Sequence, residues 1–130
     1  MSPNAIVRAD GVFEIGLGLL LVFGSALSWL DADDFPTPVG RAVIVVVGVA
    51  LIAVGVFLWR LASGAVPAQL LRYLALGNAV TAVAAIVRRV VAEGFSDAGS
   101  AIVLVTAGAL LALAAGQLSA IPRARRAPRQ

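Results

Sequence analysis

The sequence predicts an all-α fold, an antiparallel four-helix transmembrane bundle with both termini cytoplasmic. Only 13% of the 130 residues are charged and 61% are hydrophobic, whereas soluble domains carry about 25% charged residues. The chain also contains four long apolar runs, of which the uncharged stretch from Ala98 to Pro122 is the longest. A bilayer span needs about 20 apolar residues. Because a soluble core of this size does not hide so much apolar surface, we expect much of it to face lipid.

The composition excludes several kinds of chemistry. The chain has no cysteine and no histidine, so disulfides, thiolate catalysis, imidazole zinc sites and histidine-held haem are not available. It contains no phosphate-binding loop, no nucleophile elbow and no metal-ligand spacing. We therefore expect no cofactor, no metal and no enzymatic activity. All ten basic residues are arginine, which together with the abundance of alanine, valine and glycine indicates a GC-rich, bacterial genome.

The first helix is predicted to begin at Pro3. Ser2 is a good N-cap residue, and proline suits the first helical position because an N–H group there has no helical acceptor. Only Glu14 interrupts the apolar part of this helix, and Gly24-Ser25-Ala26 resembles a signal-peptide cleavage site. Asp10 and Glu14 stand where a signal peptide carries basic residues, so a retained helix is favoured over a cleaved leader.

Prolines and cap residues mark the other helices. Thr37-Pro38 repeats the signal of the first helix, and Pro67 opens the third. Ser96 or Asp97 caps the fourth helix, which is predicted to end at Pro122 because an internal proline removes a hydrogen bond and clashes with the preceding turn. The predicted helices cover residues 3–30, 38–62, 67–92 and 97–121 of one transmembrane domain, 1–122, and residues 123–130 are predicted to be a disordered, arginine-rich cytoplasmic tail.

The third helix is the least regular of the four. Its charge-free part, residues 73–87, is about 22 Å long at 1.5 Å per residue, whereas the hydrocarbon core is about 30 Å thick. Arg72 at its start and Arg88-Arg89 near its end are therefore expected to extend their side chains to the membrane surfaces.

The arginines predict the orientation of the bundle. With both termini in the cytoplasm, seven arginines lie inside and three lie outside, as the positive-inside rule favours. The inner set is Arg8, Arg60, Arg72, Arg123, Arg125, Arg126 and Arg129, and the outer set is Arg41, Arg88 and Arg89. We therefore expect a multi-pass protein of the inner (plasma) membrane, in which the basic charge serves topology rather than nucleic-acid binding.

Glu14 is the strongest candidate for a functional residue. If Gly11 marks the entry into the hydrocarbon, Glu14 lies about 5 Å inside it, and Asp10 lies one turn earlier on the same helical face. Two acids placed in this way can bind a cation or share a proton. The favoured alternative is an ion pair with Arg60 or Arg72, which are expected at the same end of the bundle and would tie helix one to its neighbour. A third alternative is a carboxyl group that extends to water.

Asn78 completes the candidate intramembrane polar site. It lies six residues after Arg72, about 9 Å deeper along the third helix, at a depth similar to that of Glu14. Together with Thr81 and Gln117 it is expected either to line a polar pocket with Glu14 or to form interhelical hydrogen bonds, and the second alternative is favoured.

A stripe of small residues on the fourth helix is expected to serve helix packing. Gly108, Ala112 and Gly116 recur every four residues, and this pattern lets helix backbones approach closely. The partner is either another helix of the bundle, a second copy of the chain in a homo-oligomer, or another membrane protein. Trp29, Trp59 and Tyr73 fall at predicted helix ends, where interfacial aromatic residues belong.

The chain resembles an uncharacterised group of small bacterial inner-membrane proteins with four helices. The resemblance rests on Arg8-Ala9-Asp10 at the opening of helix one, Arg41 before a helix that contains Gly48 and Gly55, Asn78 in helix three, and the apolar fourth helix. It covers nearly the whole chain and implies a fold and a location rather than an activity.

A second resemblance is to small multidrug exporters, and it implies one alternative function. These four-helix proteins carry an essential membrane-embedded glutamate in helix one, a position that Glu14 matches, although aromatic residues for a cationic drug are not evident around it. We therefore expect a structural or accessory membrane protein whose polar residues tie its helices together. The alternative is a proton-coupled transporter of small cations that uses Glu14.

Overall fold

A computed structural model describes residues 1–26, 38–91 and 97–126, and this part of the chain is helical apart from short links. It contains four helices: α1 (Pro3–Ala26), α2 (Pro38–Leu61), α3 (Ala68–Val91) and α4 (Asp97–Arg126). Three of them are long and apolar enough to cross a membrane, over Gly40–Leu61, Ala68–Val91 and Asp97–Arg123. The all-α class with four helices is thus confirmed.

The helix starts agree with the cap and proline signals. The hydroxyl oxygen of Ser2 accepts a hydrogen bond from the backbone N–H of Ala5 at 3.2 Å, as an N-cap does. The first helix begins at Pro3 and the second at Pro38, while α3 begins directly after Pro67. Local sequence therefore fixes where each of these helices begins, because proline favours the first turn and is disfavoured beyond it.

The predicted end of the fourth helix is wrong. α4 continues through Pro122 to Arg126, so residues 123–126 of the predicted disordered tail are helical. A proline removes one N–H donor and tends to kink a helix, but the residues after it can still form their own helical bonds. The guanidinium of Arg123 also donates to the carbonyl oxygen of Ser119 at 3.4 Å across this turn. Residues 127–130 and the predicted end of helix one at residue 30 lie outside the described part of the chain.

Helices α1 and α2 pack through pairs of glycines. A methyl group on Gly11 would lie 2.8 Å from the carbonyl oxygen of Gly55, and one on Gly48 would lie 2.8 Å from that of Gly18. The two helices therefore meet backbone to backbone at faces that lack side chains. They do so at two levels, which are seven residues apart on each helix. Such close approach maximises van der Waals contact, which is a main source of helix association in lipid.

The four helices form two packed pairs. α1 packs against α2 and α3 packs against α4, and the contact of α1 with α4 joins the pairs. The larger apolar cluster lies at the end of the molecule that holds the start of α1, the α2–α3 link and the last turns of α4. Its buried residues are Ile6, Val7, Leu58, Ala62, Val66, Leu71 and Ala120. A smaller cluster of Ala82, Ala107 and Leu110, with Phe13 packed against it, lies deeper in the molecule.

The small-residue stripe on α4 does not face one partner helix within the described chain. Around Gly108 there is open space, and Ala112 is exposed. Only Gly116 touches a neighbour, since a methyl group placed there would lie 2.6 Å from the terminal carbon of Ile6 on α1. The stripe winds across the helix surface, so that its last member reaches the junction with α1 while the first two point outward.

Candidate functional site: a buried polar cluster

Three polar side chains meet between the two apolar clusters, one each from α1, α3 and α4. Asp10, Asn78 and Gln117 are 1%, 6% and 0% exposed. Val7 and Phe13 lie one turn away from Asp10 on either side, and they belong to the two different apolar clusters. Hydrocarbon side chains therefore border this polar cluster towards both ends of α1.

A closed set of hydrogen bonds joins the three side chains. The amide nitrogen of Gln117 donates to one carboxyl oxygen of Asp10 at 2.7 Å, and that of Asn78 donates to the other at 3.1 Å. Asn78 also donates to the side-chain oxygen of Gln117 at 3.3 Å. Both oxygens of the carboxyl group thus act as acceptors, and each pair of residues in the cluster is connected. Buried polar groups of this kind are stable only when they satisfy one another, because no water is available to do so.

Glu14 lies one turn beyond Asp10 on α1 and is left out of this set. Its side chain is partly buried, and its Oε2 atom is buried without a hydrogen-bond partner. Within the described residues it forms no ion pair, so the expected pairing with Arg60 or Arg72 is not formed. A buried carboxyl oxygen without a hydrogen-bond partner is a place where a proton can be held.

The arginines of the candidate site lie elsewhere. Arg60 and Arg72 are exposed at the end of the molecule where α2 stops and α3 starts. Arg8, at the same end, lies over the ring of Trp59 with 5.7 Å between its guanidinium carbon and the ring centroid. This distance is within the range of a cation–π contact. The structure thus brings together Asp10, Asn78 and Gln117, places Glu14 next to them, and leaves both arginines and the exposed Thr81 outside.

A second polar tie, not predicted from the sequence, lies near the start of α1. The side-chain amide of Asn4 donates to the carbonyl oxygens of Ala62 and Gly64, each at 2.8 Å. Those carbonyls lie just beyond the end of α2, where a helix leaves its last acceptors unpaired. The only sequence signal for this contact is that Ala62-Ser63-Gly64 ends a helix whose carbonyl groups need donors.

The chemistry of the site is limited to hydrogen bonding and proton or cation binding. The described residues include no group of three or more histidine, cysteine, aspartate or glutamate side chains that would hold a metal ion. The cluster offers carboxyl and amide groups but no thiol, imidazole or amine. The groups here that exchange protons are the carboxyl of Asp10 in the cluster and that of Glu14 beside it.

Fold and site together define the class: an all-helical protein with helices long enough to cross a membrane and a buried carboxyl–amide cluster. No protein-family model matches the chain, and no curated protein or solved structure is significantly similar to it.

Proposed function

We propose that the protein is a small multi-pass membrane protein with a structural or accessory role, in which buried polar side chains tie the helices together. The observation that carries the proposal is the closed hydrogen-bonded set of Asp10, Asn78 and Gln117. It is contributed by both helix pairs and lies across their junction. Every donor–acceptor contact in it is a contact between helices, which is what a structural tie requires.

The placement in the membrane is part of this proposal. Large apolar side chains are exposed on all four helices, among them Val46 on α2, Val90 on α3 and Val105 on α4, and lipid is the solvent that suits them. The pairing of Gly11 with Gly55 and of Gly18 with Gly48 supports an antiparallel arrangement of α1 and α2. The distribution of arginine supports cytoplasmic termini in a bacterial inner membrane.

The physical reason for a polar tie is the absence of a hydrophobic force between helices in lipid. Lipid tails are as apolar as leucine, so helices associate through close packing and interhelical hydrogen bonds. The α1–α2 pair uses glycine packing for this purpose. The contact of α1 with α4 that joins the two pairs is smaller than the contacts within each pair, and the cluster supplies hydrogen bonds there.

Replacement of Asn78 tests the tie. Asn78→Ala removes both of its donated hydrogen bonds and leaves acceptors on Asp10 and Gln117 without a donor, so the free energy of unfolding in bicelles should fall. Thr81→Ala, one turn further along the same helix at an exposed position, is the matched control and should change little. Equal stabilities of the two variants would contradict a structural role of the cluster.

A second candidate is a proton-coupled transporter of small cations, and the unpartnered carboxyl oxygen of Glu14 favours it. The test uses proteoliposomes with a pH-sensitive dye inside and an imposed gradient of sodium, potassium or tetraphenylphosphonium. In the wild type the cation gradient would drive protons across the membrane in the opposite direction, and in Glu14→Gln it would not. The carboxyl infrared band assigned by the same variant would titrate between pH 4 and 9. If the wild type gave no proton flux and the band did not titrate, the transporter would be contradicted and the structural role would be the one candidate left.

A further inference from the structure

A groove runs along the outside of the α1–α2 pair. Its volume is about 390 Å³, and its described lining is Val12, Ile15, Val56, Trp59 and Arg60. The two helices are held close beside it by the glycine contact, since the backbone nitrogen of Trp59 lies 3.3 Å from the position of a methyl group on Gly11. The groove is thus apolar along most of its length and lies between two helices whose spacing is fixed.

Two positive charges lie at one end of the groove. Arg60 forms part of its wall, and Arg8 is held over the ring of Trp59, which also lines it. Both side chains are exposed, and within the described residues neither has an acidic partner. The guanidinium groups therefore keep their donors free for an anion, and Arg8 is positioned by the aromatic ring rather than by a carboxylate.

Charge and hydrocarbon are ordered along the groove. Arg8, Val12 and Ile15 follow one face of α1 at spacings of four and three residues, over about 10 Å of helix. On α2, Val56 and Arg60 are also one turn apart, and the arginine is again at the end near the start of α1. Both walls thus run from a cationic end to an apolar end in the same direction.

We infer that this groove binds an anionic phospholipid. The phosphate lies against the guanidinium groups of Arg60 and Arg8, and one acyl chain lies along Val12, Ile15 and Val56. The inference rests on the membrane placement proposed above, in which this end of the molecule faces the cytoplasm. Arginines at a membrane surface attract anionic headgroups, and the ordered apolar wall adds a place for the chain that a surface charge alone does not provide.

Tryptophan fluorescence tests the inference directly. The chain has two tryptophans, so Trp29→Phe leaves Trp59 in the groove as the only tryptophan, which is excited selectively over tyrosine at long wavelength. In phosphatidylcholine vesicles, brominated phosphatidylglycerol should quench Trp59 at a lower mole fraction than brominated phosphatidylcholine does. Arg60→Gln should reduce this preference about fivefold, as expected for one arginine at the surface. Arg60→Lys keeps the charge and should retain most of the preference, while Arg72→Gln, at an exposed arginine of the same end outside the groove, should leave it unchanged.

The outcomes separate the two proposals. Equal quenching by the two brominated lipids, or an equal loss of preference in Arg60→Gln and Arg72→Gln, would overturn the lipid site while leaving the membrane placement intact. No quenching by either lipid would overturn the membrane placement itself. Circular dichroism of each variant checks that its helices remain folded, and Arg60→Lys provides the folded comparison if Arg60→Gln loses helicity.

Discussion

The two junctions of this protein are held by opposite means. Between α1 and α2, the glycines at 11, 18, 48 and 55 remove side chains so that backbones touch. Between the two helix pairs, Asp10, Asn78 and Gln117 fill the space with polar groups that bond only to one another. Glycine packing tolerates no added atom, whereas the polar junction tolerates no lost partner. In the proposed membrane setting, where helices associate without a hydrophobic force, α1 thus combines a steric and a chemical means of association.

The largest effect is expected from adding one carbon to the glycine junction. A methyl group at position 18 would collide with the backbone oxygen of Gly48, which cannot rotate away as a side chain can. We expect Gly18→Ala to cost about 3 kcal/mol of unfolding free energy, at the upper part of the range for overpacking. Unfolding by sodium dodecyl sulfate in mixed micelles measures it.

Gly16→Ala is the control for this comparison, because it lies on the same helix with nothing near the added carbon. It should be neutral or slightly stabilising, since alanine restricts the unfolded chain more than glycine does. Helix propensity alone would favour alanine at both positions. Equal stabilities of the two variants would therefore show that the contact of Gly18 with Gly48 does not limit the approach of α1 and α2, and would contradict the steric side of the comparison.

The next largest effect is expected at the polar junction. Gln117→Leu removes a donor to Asp10 and an acceptor for Asn78, leaving buried groups unpaired at a cost of about 2 kcal/mol. Gln69→Leu is the matched change at an exposed site, where the amide bonds only to the hydroxyl of Tyr73, and it should have little effect. The same denaturation in mixed micelles measures both variants. A cost at Gln69 as large as that at Gln117 would contradict a particular contribution of the buried cluster to stability.

A smaller effect is expected at the start of α1, where one side chain serves both helices of a pair. Asn4→Ala removes two hydrogen bonds to the carbonyls of Ala62 and Gly64 at the end of α2. Because this end is partly exposed, water replaces some of the loss, and we expect a cost of about 1 kcal/mol. Hydrogen exchange of the amides in the last turn of α2 should accelerate in this variant. Unchanged exchange there would show that water caps the helix equally well.

The smallest effects are expected along the small-residue stripe of α4, and they should differ between its first member, Gly108, and its last, Gly116. Gly116→Ala meets only the flexible side chain of Ile6, so a cost of at most about 1 kcal/mol, the lower end of the range for overpacking, is expected once that side chain moves. Gly108→Ala meets nothing within the chain and should not destabilise the monomer. If Gly108→Ala nonetheless shifts the oligomeric state in cross-linking experiments in lipid, the outward face of α4 contacts another copy.

The fold was predictable where the signal is local. Ser2-Pro3 and Pro38 fix helix starts through backbone chemistry that depends on a few adjacent residues. The prediction that helix four ends at Pro122 was wrong because proline weakens a helix without always ending it. Whether the next turn forms depends on what surrounds it. A sequence signal for breaking is thus less decisive than one for starting.

The site was predictable only in part, because contacts between helices depend on their relative rotation. Asn78 and Gln117 were recognisable as polar residues expected near Glu14, with Asp10 one turn away from it. The closure of Asp10, Asn78 and Gln117 into one set, and the exclusion of Glu14 from it, are three-dimensional facts. The glycines of α1 and α2 were visible in the sequence, yet their seven-residue spacing becomes meaningful only when both helices are seen to share it. The arginines suggested an ion pair because opposite charges at one end attract, but the exposed end lets them remain in water.

The separation of Asp10 and Gln117 along the chain also has a consequence for biosynthesis. These residues are 107 positions apart, so at 5 to 20 residues per second the ribosome needs about 5 to 20 s to supply the second partner after the first. During that interval the carboxyl group of Asp10 has no amide from α4 to meet it. The closed hydrogen-bonded set therefore forms only after α4 has been made, and until then α1 and α2 have to associate through their glycine contacts without it.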